Sequence, residues 1–113
     1  LERGPGEIRF GPLTLDQAQR QAGVGGVKLE LTPKTYEVLA ELVRRRGQAA
    51  SRREISERVW QGHDRGFDRA LDTHVYGLRR ALRKAGADGE LRIETVRRHG
   101  FMLVLGEGGD RVN

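Results

Sequence analysis

Residues 69–84, Arg-Ala-Leu-Asp-Thr-His-Val-Tyr-Gly-Leu-Arg-Arg-Ala-Leu-Arg-Lys, constrain the fold more than any other stretch of the chain. Leu71, Val75, Leu78 and Leu82 recur at the spacing that stacks side chains along one side of a 3.6-residue helix, so this helix needs a core to cover it. At 100° per residue, Arg69, Thr73, Tyr76, Gly77, Arg80 and Lys84 project away from that stripe, with Arg79 and Arg83 on one flank. A basic far face is either a solvated surface or a contact for a polyanion, and the helix alone does not choose between them.

The segments around it supply the context. From Glu7 to Leu31 short alternating runs (Ile8 and Phe10, Leu13 and Leu15, then Val27, Leu29 and Leu31) predict half-buried strands. Gly11-Pro12 and Gly23-Val-Gly-Gly26 supply turns, giving an antiparallel sheet of three to four strands in which 18–22 is the undecided one. Thr32-Pro33 opens a first helix, threonine as cap and proline preset at the first helical position, with Tyr36, Leu39, Ala40 and Val43 inward. Arg44-Arg-Arg46 and Gly47 close it, cations suiting the carbonyl end of the helix dipole and glycine the left-handed cap.

Ser51-Arg-Arg-Glu54 has capping-box spacing and starts a short second helix carrying Ile55 and Val59. Residues 60–67, aperiodic and with two glycines, form a loop leading to Asp68 as cap of the third helix. Beyond Gly86 and Gly89, alternation returns in Leu91, Ile93 and Thr95 and in Phe101, Leu103 and Leu105, predicting a hairpin with the basic tip Arg97-Arg-His-Gly100. Residues 1–6, with Gly4, Pro5 and Gly6, read as a linker remnant, 7–105 as one domain and 106–113 as a flexible C-terminal tail.

Composition narrows the function. In 113 residues, 33% are charged, 36% are hydrophobic and the formal charge is +5. That suits a cytoplasmic chain and polyanionic partners, and no apolar run approaches the roughly 20 residues of a membrane helix. With no cysteine there is no disulfide or thiolate zinc site. His63, His74 and His99 share no ligand spacing, and His74, beside the apolar stripe, reads as a packed, hydrogen-bonded residue. No nucleophile–base set and no phosphate loop stands out, so neither an enzyme nor a cofactor is expected.

Sheet, helix, short helix, loop, basic helix and basic-tipped hairpin together make an α+β winged helix-turn-helix. A helix fits the major groove of B-form DNA, and a hairpin beside it reaches the backbone or the neighbouring minor groove. The chain also resembles the OmpR/PhoB-type effector domains of bacterial two-component response regulators. Leu31-Thr-Pro-Lys-Thr-Tyr-Glu-Val-Leu39 is similar to the family's L-T-x-x-E-F-x-L-L, with acid and aromatic exchanged in order. Ser51-Arg-Arg-Glu-Ile55 and Val59-Trp60 resemble S-R-E-E-L and V-W. Residues 69–82 resemble R-T-V-D-V-H-I-x-x-L-R-x-K-L, and Ile93-Glu-Thr-Val-Arg97 with Gly100-Phe101 resembles the wing's I-x-T-V-R-G-x-G-Y.

The resemblance implies that Arg69, Arg79, Thr95 and Trp60 hold phosphates and that Arg97 enters the minor groove, joined by the extra cation Arg98. Thr73, Tyr76 and Arg80 would face base edges, and Lys84 extends the basic face. Helix geometry favours Arg80 for the outward role that the family gives Arg79, and both stay in the expected set. Asp72 is expected to bridge an arginine. The resemblance further implies two copies on direct-repeat half-sites, a homodimer formed on DNA or through a phosphorylated receiver domain, and RNA polymerase contacts from Gln61, His63, Asp64 and Arg65.

Two departures stand out. Gly77 occupies a position often held by a long polar residue, implying lost base readout or close backbone approach to DNA. Arg98 replaces the first glycine of the wing, implying a longer or reshaped tip. Two other functions remain open: a winged-helix module turned to protein contacts, its base recognition eroded at Gly77, and an effector domain attached to a sensor other than a receiver.

Overall fold

A computed structural model describes residues 6–61 and 67–106. The chain opens with β1 (Glu7–Phe10), β2 (Leu13–Asp16), β3 (Gln21–Val24) and β4 (Val27–Lys28), an antiparallel meander in the order β1-β2-β3-β4. Leu13, Leu15, Ala22 and Val24 point from it into the core. The undecided strand thus exists, but shifted to Gln21–Val24 and running through Gly23. A Cβ at Gly23 would stand 3.1 Å from the Val27 carbonyl oxygen, so this glycine serves close strand approach while Gly25 and Gly26 make the turn. The expected run Val27–Leu31 pairs only at Val27–Lys28; Leu29 then dives into the core, its N–H on the Ala22 carbonyl.

α1 (Pro33–Arg44) starts as its sequence predicts, the Thr32 side chain accepting from the Thr35 N–H. Burial extends beyond the expected stripe to Val38 and Leu42, because α1 is packed by α2, α3 and the wing strand β7. At its end Gly47 is left-handed as expected, but Arg46 ahead of it is left-handed too, and its guanidinium donates to the Arg9 carbonyl. Arg44 and Arg45 turn back to Glu41, a carboxylate only 4% exposed that Arg58 of α2 also reaches. The arginine triplet therefore ties α1 to its surroundings.

α2 (Arg52–Val59) carries the full capping box, Ser51 and Glu54 satisfying each other's backbone N–H. α3 (Phe67–Lys84) begins one residue before Asp68, so Asp68 lies within the first turn and is not the cap. Leu71, Val75, Leu78 and Leu82 are all 2% exposed or less. β6 (Leu91–Val96) and β7 (Gly100–Leu105) form the wing. Gly106, just past β7, donates to the Glu90 carbonyl, and in the first sheet Gly6, just ahead of β1, accepts from the Gln17 N–H.

One element had no signal in local sequence. β5 (Ala50–Ser51) pairs with β7, making a second sheet in the order β5-β7-β6 with register Ala50↔Phe101 and Ser51↔Gly100. This joins the start of α2 to the wing. Gly100 is needed there because a Cβ would overlap the Ala50 carbonyl oxygen. Gly100→Ala is expected to destabilise the domain by about 3 kcal/mol or more, through loss of the β5–β7 pairing, as read by urea denaturation.

Candidate nucleic-acid interface

Rotation of α3 decides what each side chain can reach. With the aliphatic stripe buried, Arg69, Thr73, Tyr76, Arg80, Arg83 and Lys84 are exposed, Tyr76 at 59%. Arg79 and Gly77 lie on opposite flanks and are half-buried.

On one flank Arg79 is committed to the wing. Its Nε and Nη2 donate to the Ile93 carbonyl oxygen at 3.1 and 2.7 Å, and Nη2 also donates to Thr95 Oγ1 at 3.1 Å. A planar guanidinium is suited to such a two-pronged contact, and here it satisfies a carbonyl on the outer strand of the sheet. Arg79 and Thr95 are thus brought together, with Thr95 still exposed, while Arg80 is left outward, as helix geometry predicted.

On the other flank Gly77 stands at the edge of the outward face, half-buried. A Cβ there would come within 3.8 Å of Thr35 of α1. The basic far face is therefore continuous without it.

Three links hold the interface elements together. Arg52, at the start of α2, binds Asp72 at 2.9 Å, the bridge expected of that carboxylate; its guanidinium also lies 5.7 Å from the Phe101 ring centre. The Arg52 backbone N–H donates to the His99 carbonyl in the wing turn. Sequence reasoning missed Arg52, since a partner 20 residues away leaves no periodic signal.

At the wing tip Arg97, Arg98 and His99 are exposed, and the His99 N–H closes the turn on Val96. Arg98 takes the left-handed conformation expected of the missing glycine, with φ 59°. The turn stays tight at a steric cost of about 1 kcal/mol, in place of the longer or reshaped tip expected from sequence.

Trp60 is half-buried, 5.9 Å centre to centre from the His74 ring, with Lys34 Nζ 5.9 Å from its centroid. His74 Nδ1 lies 2.8 Å from Thr35 Oγ1, which in turn receives the Thr32 hydroxyl. That relay is satisfied when Thr35 donates to Nδ1 of a neutral imidazole. Burial, aided by the Lys34 cation, holds the His74 pKa below its ordinary value. Gln61 follows α2 in a left-handed conformation; His63, Asp64 and Arg65 lie outside the described residues.

Charge is partitioned across the molecule. The cations of α1 and α2 (Lys34, Arg44, Arg52, Arg53 and Arg58) each have a carboxylate partner. Arg69, Arg80, Arg83, Lys84, Arg97 and Arg98 have none among the described residues. Unneutralised charge is thus gathered mainly on α3 and the wing tip, where a polyanion would meet it, with Arg9 and Lys28 of the first sheet also lacking a carboxylate among the described residues.

These features define a winged-helix DNA-binding domain, and comparison with known proteins agrees. The chain belongs to the family described as "Transcriptional regulatory protein, C terminal", whose model matches residues 26–103. It is 34% identical over 105 residues to the transcriptional regulatory protein BasR of Escherichia coli K12, covering 93% of this chain and 45% of BasR. The chain therefore spans less than half the length of that relative.

Among solved structures it is similar to the DNA-binding domain of CpxR from E. coli, with TM-score 0.74, 31% identity, and coverage of 88% of this chain and 97% of that one. The Klebsiella pneumoniae RstA DNA-binding domain in complex with RstA box gives TM-score 0.68 and 30% identity, covering 87% and 96%. By that family's description the domain is of the kind found at the C-terminus of transcriptional regulatory proteins. Among the described residues, no helix is long and apolar enough to cross a membrane.

Two expectations separate positioning from contact. Arg79→Lys loses the paired donation to Ile93 and should cost about 1.5–3 kcal/mol in urea denaturation, whereas Arg80→Lys should leave stability within about 0.5 kcal/mol. For His74, the unfolded chain takes up a proton more readily than the folded one. Stability present above pH of about 6.5 is therefore lost as pH falls below it. The urea midpoint should decline from pH 7.5 to 5.5 in the wild type and decline less in His74→Gln; equal declines would show that His74 contributes nothing to the pH response.

Proposed function

We propose that this chain binds double-stranded DNA sequence-specifically as the output domain of a cytoplasmic two-component response regulator. In this reading α3 enters the major groove, and Thr73, Tyr76 and Arg80 face base edges. Arg69, Arg79, Thr95 and Trp60 lie along the backbone, Lys84 and Arg98 add charge, and Arg97 enters the flanking minor groove. The observation that carries it is the gathering of partnerless cations on α3 and the wing tip, while those of α1 and α2 are neutralised by carboxylates.

Residues 7–105 are the effector unit, switched by phosphorylation of a receiver domain elsewhere in the full protein. Two copies occupy direct-repeat half-sites, dimerised on DNA or through the receiver. RNA polymerase is contacted from 61–65. The activity is binding, not catalysis. Against the rival reading, a protein-contact module with eroded base recognition, stands the run of exposed polar and basic residues Thr73, Tyr76, Arg80 and Lys84, beside which Gly77 takes only an edge position.

Selection from a randomised duplex pool, followed by salt titration on the enriched sequence, tests this reading. A short repeated motif should emerge, with a log–log slope of about −4 to −6, corresponding to roughly five phosphate contacts. Replacing Arg80 and Arg97 together with alanine should weaken binding by about 2–5 kcal/mol. Absence of enrichment together with an unchanged affinity in that double variant would overturn it.

A further inference from the structure

The flank of α3 away from the wing borders a cleft. It encloses about 360 Å³ between α3 and the β3–β4 hairpin and is lined chiefly by Val27, Lys28, Glu30, Gly77, Arg80 and Lys84. Gly77 helps keep it open, since its flank position carries no side chain to fill the space. Lys28, Arg80 and Lys84 are exposed and have no hydrogen-bond or ion-pair partner among the described residues. Glu30 is the one carboxylate among these lining residues. Arg80 and Lys84 also belong to the outward face of α3, so the cleft opens on the side that meets DNA.

We propose that this cleft seats a phosphate of the DNA backbone, with Lys28 of β4 as its outer cation, gripping the lip of the major groove opposite the wing. The proposal rests on the DNA-binding reading above. A helix about 10–12 Å across fills a groove about 12 Å wide, so phosphates of both strands lie beside its two flanks. One flank is served by Arg79, Thr95 and the wing. The other has no wing; Lys34 of α1 near its N-terminal end is paired with Glu37, and the short strand β4 brings an unpaired cation to it. β4 is placed by its pairing with β3, Gly23↔Lys28 and Val24↔Val27, so Lys28 is carried on a paired backbone and not on a free loop. A lysine ammonium suits this role because a phosphate at the edge of the footprint needs a point charge more than a directed fork.

The test measures affinity by fluorescence anisotropy across a salt series, using the whole chain and the duplex enriched above. Lys28→Ala should weaken binding about threefold to tenfold and reduce the log–log slope by about one. Glu30→Gln, which removes the acid from the cleft, should tighten binding about twofold to threefold. Arg9→Ala supplies the control for general charge: Arg9 is exposed on β1, at the opposite edge of the same sheet, and its loss should leave the slope unchanged.

If Lys28→Ala behaves like Arg9→Ala while Arg97→Ala still weakens binding, the cleft is not a phosphate seat and the DNA-binding reading survives. Loss of affinity in Lys28→Ala without a change of slope would equally overturn the proposal, pointing to a structural effect. If Arg97→Ala is also without effect, the DNA-binding reading falls and the proposal falls with it.

Discussion

Burial of one aliphatic stripe on α3 sets nearly everything else. Leu71, Val75, Leu78 and Leu82 each contribute about 1.5–3 kcal/mol by leaving water, more than a typical exposed ion pair on the same helix. Their common direction fixes the helix about its axis, and a shift of one residue would turn it by 100° and expose the stripe. Arg79 meets the wing, Gly77 sits beside Thr35 of α1 and Arg80 points outward as consequences of that single rotation. The interface is therefore positioned by a core that itself never touches a ligand.

The same economy governs charge. A domain this rich in arginine repels itself unless most cations are matched, and α1 and α2 match theirs with Glu37, Glu41, Glu57 and Asp72. Glu41 is the extreme case, a nearly buried carboxylate reached by arginines from α1, the following turn and α2. Such a buried acid is tolerated because several donors surround it. What is left unmatched is confined mainly to α3 and the wing tip, so the field of the molecule has a direction.

How much of this could be read beforehand follows the range of the interactions. Patterns with a short period were legible: the α3 stripe, the Thr32-Pro33 start, the Ser51 capping box and the two wing strands. Their causes lie within four residues of their effects. Interactions between distant positions were not. β5 is only two residues long and exists because Gly100 lets it approach β7. Arg79 resembles a phosphate contact in sequence, yet a large part of its hydrogen-bonding capacity is spent on Ile93, 14 residues away. That Gly77 sits at the edge of the outward face, beside Thr35, was not legible because a single angle per residue does not say where the flank of a helix meets its neighbours. The Asp68 cap failed by one residue, the usual reach of uncertainty at a helix end.

The pairing of Ala50 and Ser51 with Gly100 and Phe101 has a consequence in time as well as space. It closes a loop of the chain that contains both α2 and α3. The N-terminal meander pairs only with its sequence neighbours, so all its strand partners are made early, while Leu13, Leu15, Ala22 and Val24 still await the rest of the core. The helical half is different: α3 is synthesised before β6, the wing strand it packs against, and its aliphatic stripe waits uncovered on that side until β6 is made and held by its pairing with β7. A nascent chain halted before Gly100 would hold a paired meander and a helical half whose wing is not yet closed. α3 is thus among the last parts of the domain to acquire its final surroundings.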